Sequence, residues 1–464
     1  MKARKLLKKL LWALAIPAGA NLPLLVGGLF TGRLLSGCFL APVIGGVLAV
    51  LLPVLWLYIN ILPFRDRNHP GLRLTVMRGG RSLGYASLYG FAVQLIILFT
   101  VYPRLAASCA ANIPGAYSVG MLVGNGVFSL ILLFLMLWNG ILRMFLLSMR
   151  LRVRMRVLML LAMWIPVVNI LVLLHAMRLV AAEYDFACYK DSVRNIRAES
   201  DICRTRYPII LVHGVGFRDL RYFNYWGRIP KELTRYGATI YYGNQEALGT
   251  IAYNAEDIRK KILQVVKETG CEKVNIIAHS KGGLDARYAI TRLGMAPYTA
   301  SLTTVSTPHR GCRFVDYAVK LPEGLYRFVA RVFDTAFSKF GDKNPDFYTA
   351  THQFSTEWSR TFNDSVPDSP GVYYQSYASI MHDCFSDPLL WIPYCLIKPL
   401  EGDNDGLVSV ESAKWGEFKK NFISRGHRGI SHGDMIDLKR EDYKGFDVVE
   451  CYVQMVSELV KKGF

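Results

Sequence analysis

The sequence predicts an all-α membrane region of about five helices, followed by an α/β domain built on a mostly parallel sheet. Three observations support this. Long apolar runs fill most of the first 185 residues, and from about Asp201 the composition becomes that of a soluble α/β protein. In that second half, short apolar strands alternate with amphipathic helices, the pattern of a parallel sheet covered on both faces. A tight turn containing Ser280 also joins one of these strands to a helix.

Length and composition are consistent with this division. The chain has 464 residues, 52% of them hydrophobic, with a mean hydropathy of +0.22, so part of it is expected to sit in lipid. The net charge of +19 is concentrated beside the apolar runs, and no aromatic–basic nucleic-acid module is present. We expect the bilayer, and no nucleic acid, as a partner. The predicted boundaries are 1–185 for the membrane region, 186–205 for a linker and 206–464 for the α/β domain.

The apolar runs of the first region are each near the ~20 residues needed to cross a bilayer core. None contains an acidic residue. A buried helical bundle in a soluble protein is the alternative interpretation. The first run is the weakest, because it contains Pro17, Asn21 and Pro23. The five runs are Leu10–Phe30, Cys38–Leu62, Leu83–Tyr102, Val119–Leu142 and Val157–Val180.

Basic residues alternate along this region. The N-terminus and the second and fourth loops are rich in Lys and Arg, whereas the first and third loops carry only Arg33 and Arg104. The positive-inside rule predicts that the basic segments are cytoplasmic. Five crossings of the cell membrane would then place the α/β domain on the extracytoplasmic side. The segment after the last run is also basic, which weakens that assignment. The basic residues are Lys2, Arg4, Lys5, Lys8 and Lys9, then Arg65, Arg67, Arg73, Arg78 and Arg81, then Arg143, Arg150, Arg152, Arg154 and Arg156, and finally Lys190, Arg194, Arg197, Arg204 and Arg206.

The turn at Ser280 has the form of a nucleophile elbow. The apolar strand Val274–Ala278 stops just before the serine, and Gly282 and Gly283 open the helix that follows. Small residues must flank a nucleophile on so sharp a turn, and Ala278 and Gly282 satisfy this as A-x-S-x-G. The alternative is an ordinary strand–helix turn with a chance serine.

A second glycine-rich turn, His213–Gly216, follows the strand Tyr207–Val212. Attack on an acyl carbonyl produces an oxyanion that needs two backbone N–H donors held in advance. One donor usually comes from such a turn and the other from the residue after the nucleophile. The candidate donors are therefore Val215 and Lys281, although a plain strand-end turn would look the same.

A serine nucleophile also needs a base and an acid that orients the base. The turn-rich loop Glu401–Val408 offers Asp405 as the acid, with Asp403 in reserve. The base is expected beyond it, and His432 is favoured because it lies in the polar turn Gly429–Asp434. The other histidines considered are His427 and His382.

From about Tyr207 to the C-terminus, the sequence resembles the bacterial triacylglycerol lipases of the α/β-hydrolase fold. This resemblance implies that Ser280 is the nucleophile, Asp405 the acid and His432 the base, with Val215 and Lys281 as oxyanion donors. These are the residues already chosen from their local patterns. The matching stretches are YPIILVHGVG, YWGRIPKELTRYGATIYY, VNIIAHSKGGLDARY, LTTVSTPHRG, NDGLVS and SHGDMID.

The resemblance also implies a structural calcium ion near the catalytic histidine. Its carboxylate ligands would be Asp387, which precedes Pro388, and Asp434. The alternative is that Asp387 and Asp434 are ordinary surface aspartates that bind no ion. The chemistry itself is expected to require no cofactor.

A helix with a continuous apolar stripe is predicted between Leu321 and Phe340. Lipases place a lid at this point of the chain, so a lid insertion is expected at about 319–365. A cap helix packed permanently on the core would show the same stripe.

Three functions are consistent with these sequence features. The leading hypothesis is a membrane-anchored serine ester hydrolase of the triacylglycerol lipase, phospholipase or carboxylesterase type, acting on lipid or other acyl esters. The second is an acyltransferase that uses the same acyl-enzyme. The third is a non-catalytic lipid-binding scaffold.

Overall fold

A computed structural model describes all residues except 1, 32, 36, 63–70, 112–116, 198–200, 217–223, 321, 340–341, 425–427 and 441–444; the side chains of 2–10 are also outside the description. The chain divides into two compact units, Met1–Arg194 and Asn195–Phe464. Several residues named above lie outside the described part: Arg65, Arg67, Leu321, Phe340, His427 and the side chains of the N-terminal basic cluster.

Among the residues that the structure describes, the regular elements of the N-terminal unit are all helices. Three of its helices, Ala41–Ile61, Leu72–Ala110 and Val119–Leu147, are long and apolar enough to cross a membrane. A fourth crossing is available if Leu11–Ala20 and the following helix, which meet at an angle of 80°, act as one broken span. The helices are α1 (Lys2–Ala20), α2 (Leu22–Phe30), α3 (Ala41–Ile61), α4 (Leu72–Ala110), α5 (Val119–Leu147), α6 (Val153–Ala162) and α7 (Val168–Arg197).

The prediction of about five membrane helices is corrected by this structure. The described residues contain three candidate spans, or four with the bent pair. The fifth predicted run, Val157–Val180, is broken between α6 and α7. Pro166 lies in the break, where its ring removes a backbone donor, and Val167 adopts a left-handed φ of 67°. Hydropathy alone does not detect such an interruption.

The bend between α1 and α2 is held by buried amide side chains. Asn21 donates to Gln94 Oε1 at 2.8 Å, and Asn125 donates to Asn21 Oδ1 at 2.8 Å. Asn125 Oδ1 also accepts the backbone N–H of Leu24 at 3.4 Å. Such contacts replace the helical hydrogen bonds that a break releases, which lipid could not do.

The described residues of the C-terminal unit form a six-stranded sheet in which every pairing is parallel. Across the sheet, the strands lie in the order second, first, third, fourth, fifth and sixth along the chain. This confirms the predicted α/β fold class. The carboxyl ends of the strands meet at one edge of the sheet, where ligands bind in such folds. The strands are β1 (Ile209–Val212), β2 (Ile240–Tyr242), β3 (Val274–His279), β4 (Thr299–Val305), β5 (Tyr373–Ser379) and β6 (Glu417–Phe422).

Helices cover both faces of the sheet, and each face has its own apolar core. One core joins Ile209 and Ile277 to Trp226, Leu233 and Tyr452. The other core contains Ile210, Ile276, Ile258, Ile262 and Ile290. The helices are α8 (Ile229–Arg235), α9 (Ile251–Thr269), α10 (Gly282–Arg292), α11 (Arg313–Ala318), α12 (Glu323–Lys339), α13 (Phe347–His352), α14 (Thr356–Ser365), α15 (Trp391–Glu401), α16 (Val410–Ala413) and α17 (Val448–Lys461), with short 3₁₀ turns at Ala296–Tyr298 and His432–Ile436.

Candidate active site

Ser280 sits on a sharp turn between β3 and α10. Its φ of 54° is in the left-handed region, which a side chain occupies only when the surrounding structure holds it there. A Cβ on Gly282 would lie 2.4 Å from the carbonyl oxygen of His213, so only glycine fits where α10 begins. These features are the geometry of a nucleophile elbow.

The glycine-rich turn after β1 lies against this elbow. A Cβ on Gly214 would approach the Cβ of Ser280 to 2.7 Å. Within the described residues, the backbone N–H groups of Val215 and Lys281 donate to no protein acceptor. Both groups could therefore donate to an incoming oxyanion, which is the role that the sequence pattern predicts for them.

Asp405 and His432 are brought together at the same edge of the sheet. His432 Nδ1 lies 2.9 Å from Asp405 Oδ2, and the backbone N–H of His432 donates to the Asp405 carbonyl oxygen at 2.9 Å. The other carboxylate oxygen of Asp405 accepts the N–H groups of Leu407 and Val408 at 3.0 and 2.9 Å. The reserve acid, Asp403, forms an exposed pair with Lys398 at 2.6 Å.

The serine and the histidine are not hydrogen-bonded in this structure. Among the described residues, Ser280 Oγ makes no hydrogen bond. The ring of His432 instead lies 4.4 Å, centroid to centroid, from the ring of His279, which immediately precedes the serine. Catalytic hydrogen bonds are commonly long without substrate and tighten when it binds.

His279 is a residue of this site that the sequence pattern did not single out. It is fully buried, and its Nδ1 lies 2.7 Å from the hydroxyl of Tyr225. Burial, with a smaller contribution from His432, holds the pKa of His279 well below its usual range. A neutral His279 therefore packs beside His432 without competing for a proton. The only sequence signal is its position just before the nucleophile.

Lys281 has an unexpected environment for a charged side chain next to a nucleophile. Its Nζ lies 2.5 Å from Asp285 Oδ1, one helical turn along α10, and both residues are 1% exposed. Asn254 of α9 donates to the second carboxylate oxygen at 3.2 Å. Burial lowers the pKa of Lys281 and raises the pKa of Asp285 to about 6, against the opposing effect of their pairing. The side chain thus ties the predicted oxyanion donor to α10.

Replacing Lys281 with methionine is expected to destabilise the C-terminal unit. Asp285 would keep a buried charge without its partner, and breaking a buried pair in this way costs about 3–5 kcal/mol. We expect a lower thermal midpoint by tryptophan fluorescence of the detergent-solubilised chain. The double variant Lys281→Met/Asp285→Leu should recover much of the loss, since an apolar pair replaces the ionic one. Equal midpoints for wild type and Lys281→Met would contradict this account.

The two aspartates expected to bind calcium do converge, on Ser431. Asp387 Oδ2 accepts from Ser431 Oγ at 2.8 Å, and Asp434 Oδ2 accepts from the N–H of Ser431 at 2.9 Å. Each carboxylate already has a cationic partner: Lys439 lies 2.7 Å from Asp387, and Arg428 lies 2.6 Å from Asp434. Two carboxylates already neutralised by side chains do not fit a hard divalent cation. No group of three His, Cys, Asp or Glu residues suited to a metal occurs among the described residues.

Lys439 is therefore expected to fulfil the stabilising role that the resemblance assigned to calcium. Replacing it with methionine leaves the buried Asp387 short of a charged donor, at a cost of about 1–3 kcal/mol. We expect a lower thermal midpoint for Lys439→Met and no change of the wild-type midpoint with EDTA or added calcium. The exposed Lys461→Met is the matched control. A wild-type midpoint that rises with calcium would restore the calcium assignment.

Comparison with known proteins is consistent with this geometry. Residues 206–304 match the family model described as lipase (class 2). The chain is 29% identical over 274 residues to triacylglycerol lipase 2 of Saccharomyces cerevisiae, covering 53% of this chain and 77% of that protein. It is 34% identical over 179 residues to a triacylglycerol lipase of Pseudarthrobacter phenanthrenivorans, covering 36% of this chain and 55% of that protein. A structure of the Bacillus licheniformis lipase BlEst2 aligns with a TM-score of 0.40 and 20% identity, covering 50% of this chain and 87% of that one.

The C-terminal unit therefore has the α/β-hydrolase fold and is a lipase-like ester hydrolase. Its similarity is to the triacylglycerol lipases, and the lipase (class 2) match covers the segment that contains both the oxyanion turn and the elbow. The resemblance predicted for this half of the sequence is confirmed.

Proposed function

We propose that the chain is a membrane-anchored serine ester hydrolase that cleaves lipid acyl esters through an acyl-enzyme on Ser280. The observation that carries the proposal is the contact between His432 and Asp405 at 2.9 Å, beside a serine held on an elbow. The apolar helices of the N-terminal unit would anchor the enzyme and supply a lipid environment. Five crossings would put the hydrolase unit outside the cell membrane, whereas an even number would put it on the cytoplasmic side.

The chemistry follows from the donors and acceptors at the site. His432 Nε2 takes the Ser280 hydroxyl proton as the oxygen attacks the ester carbonyl, and the N–H groups of Val215 and Lys281 hold the oxyanion. Collapse of this intermediate breaks the ester C–O bond, and His432 returns the proton to the departing alcohol. Water, deprotonated by His432, then attacks the acyl-enzyme and releases the fatty acid and Ser280.

A fluorophosphonate probe tests this mechanism directly, since it labels only an activated serine. The full chain, purified in detergent, is incubated with the probe and digested, and the modified peptide is identified by mass spectrometry. Modification at Ser280, together with hydrolysis of triacylglycerol or phospholipid, supports the proposal. Failure to label, or labelling elsewhere, refutes it. Product analysis with an added alcohol distinguishes a hydrolase, which releases free acid, from an acyltransferase, which forms a new ester.

Helix α12 is the proposed lid. Tyr326 and Ala330 are buried on one side, whereas Leu325, Phe328 and Val332 on the other are 53%, 65% and 54% exposed. An apolar stripe open to solvent suits contact with a lipid surface better than a permanently packed cap helix. The segment after α12 is attached to the α/β domain through Asp342. Its carboxylate accepts hydrogen bonds from the backbone N–H groups of Ala247 and Leu248 at 3.3 and 3.0 Å.

Replacing Phe328 with aspartate is expected to weaken adsorption of the enzyme to emulsified lipid while leaving turnover of a soluble short-chain ester unchanged. The substitution places a charge in the middle of the exposed stripe and removes a large apolar side chain worth about 1.5–3 kcal/mol of burial in lipid. Ser338→Asp adds the same charge on another face of α12 and is the control. Rates on emulsion and soluble ester are compared; equal losses on both substrates would contradict a role at the interface.

A further inference from the structure

The fifth apolar run of the membrane region folds back on itself. Its two limbs are α6, with 10 residues, and the first half of α7. At ~1.5 Å per residue, α6 is about 15 Å long and the α7 segment from Ile170 to Glu183 about 20 Å, both short of the ~30 Å hydrocarbon core. Neither limb can cross a bilayer alone.

Both limbs have their outer ends at the same level. Glu183, where the apolar part of α7 ends, accepts from Ser148 Oγ at 2.7 Å and from the N–H of Arg150 at 3.1 Å, immediately before α6 begins. Arg73, at the start of α4, pairs with the same carboxylate at 2.8 Å. Arg156 of α6 donates to the carbonyl oxygen of Ser148 at 2.9 Å. The chain therefore enters and leaves this segment at the end of the bundle where α4 begins and α5 ends.

The inner ends of the limbs lie deeper in the bundle. A Cβ on Gly84 of α4 would lie 2.7 Å from Met177 Cε of α7, roughly three turns into α4 from Arg73. Farther in, residues of both limbs line one apolar cavity of about 380 Å³ with the middle of α5. Its walls include Met159, Met163, Ile170, Leu88, Phe134 and Ile141. Residues of both limbs therefore reach the level of Phe134.

The turn that joins the limbs is suited to this depth. Trp164, Ile165 and Val167 expose apolar side chains, at 81%, 52% and 66%. Two backbone donors of the turn are paired locally: the N–H of Ile165 donates to the Ala162 carbonyl oxygen at 3.0 Å, and that of Val168 donates to the Pro166 carbonyl oxygen at 2.8 Å. An irregular backbone is tolerated within a membrane only when its polar groups are paired in this way.

We propose that residues 153–183 form a re-entrant hairpin, that the hydrolase unit lies on the cytoplasmic side of the membrane, and that it takes its lipid esters from the leaflet on that side. The proposal rests on the membrane anchoring proposed above. The hairpin begins and ends at the arginine-rich end of the bundle, which the positive-inside rule places in the cytoplasm. No further candidate span follows α5 among the described residues.

This orientation also accounts for the charges beyond the membrane region. Lys190, Arg194, Arg197, Arg204 and Arg206 follow the last apolar run, and they conflicted with an outer placement. On the cytoplasmic side they continue the same positive-inside pattern. Five crossings would place the hydrolase unit outside the cell. A re-entrant hairpin enters and leaves the membrane on the same side, so the fifth run no longer counts as a crossing and the unit lies on the cytoplasmic side.

Protease protection of two epitope tags tests the orientation without depending on catalysis. One tag follows Phe464 through a flexible linker, and the other is inserted at Gly37, an exposed residue between α2 and α3. Spheroplasts expressing the full chain are treated with protease before and after permeabilisation. We expect the tag at Gly37 to be cleaved in intact spheroplasts and the C-terminal tag only after permeabilisation. Cleavage of the C-terminal tag in intact spheroplasts would overturn the proposal, as would recovery of the chain in the soluble fraction.

A membrane-impermeant fluorophosphonate gives an independent measurement in the untagged chain. Labelling of Ser280 is expected only after permeabilisation, and comparable labelling of intact spheroplasts would overturn the orientation. A chain that is not labelled even in detergent would instead refute the proposed function, and the tags would still report the side.

Discussion

Replacing Ser280 with alanine is expected to lower kcat for ester hydrolysis by a factor of about 10⁵–10⁶, the scale found when a serine nucleophile is removed. The geometry explains why the loss should be so large. The φ of 54° holds Ser280 on a sharp turn directly after His279, whose ring lies 4.4 Å, centroid to centroid, from that of His432. Without the Ser280 oxygen, only substrate binding and oxyanion stabilisation remain, and these give slow attack by water.

The measurement is the initial rate on a soluble chromogenic ester, with the thermal midpoint recorded to establish folding. Ser365→Ala, at the end of α14, is the matched control. The Ser365 hydroxyl donates to the carbonyl oxygen of Phe362 in the same helix, and the residue is distant from the elbow in the chain. We expect wild-type rates for the control. A Ser280→Ala enzyme that retains substantial turnover would exclude an acyl-enzyme on this residue.

The candidate catalytic residues could be chosen from sequence because each belongs to a local pattern. The elbow, the glycine turn after β1 and the two late turns are each specified within about ten residues. Chain order then supplied the roles, since serine, acid and base follow one another as this fold requires. The structure adds what chain order cannot: the loop of Asp405 and the turn of His432 meet at one edge of the sheet.

The elements that were not predicted depend on contacts between distant parts of the chain. Strand β5 reads YYQSYAS and β6 reads EFKKNF, too polar to identify as strands, and both are defined by their pairing in the sheet. The cationic partner of Asp387 is a similar case, because Lys439 lies 52 residues away in the chain. The Lys281–Asp285 pair does not depend on distant parts of the chain. Its two residues are four apart on one helix, a spacing that the sequence itself shows.

Replacing Asp405 with asparagine is expected to lower kcat by a factor of about 10⁴, the scale seen when a catalytic histidine is left in the wrong tautomer. The hydrogen bonds around Asp405 explain this. Its Oδ1 accepts the N–H groups of Leu407 and Val408 at 3.0 and 2.9 Å, so an asparagine must place its carbonyl oxygen there. Its NH₂ group then faces His432 Nδ1, which has to become the acceptor. The proton moves to Nε2, and the histidine can no longer receive one from Ser280.

Asp403→Asn is the control for this variant, because Asp403 lies in the same loop but is more than half exposed and pairs only with Lys398 among the described residues. We expect its kcat to stay near the wild-type value and the Asp405 variant to keep its thermal midpoint, since the amide can replace the carboxylate in the loop. The two variants are compared by kcat on the soluble ester across a range of pH. A severe loss for Asp403→Asn with near-normal turnover for Asp405→Asn would transfer the acid role to Asp403, and the contact with His432 would then be structural alone.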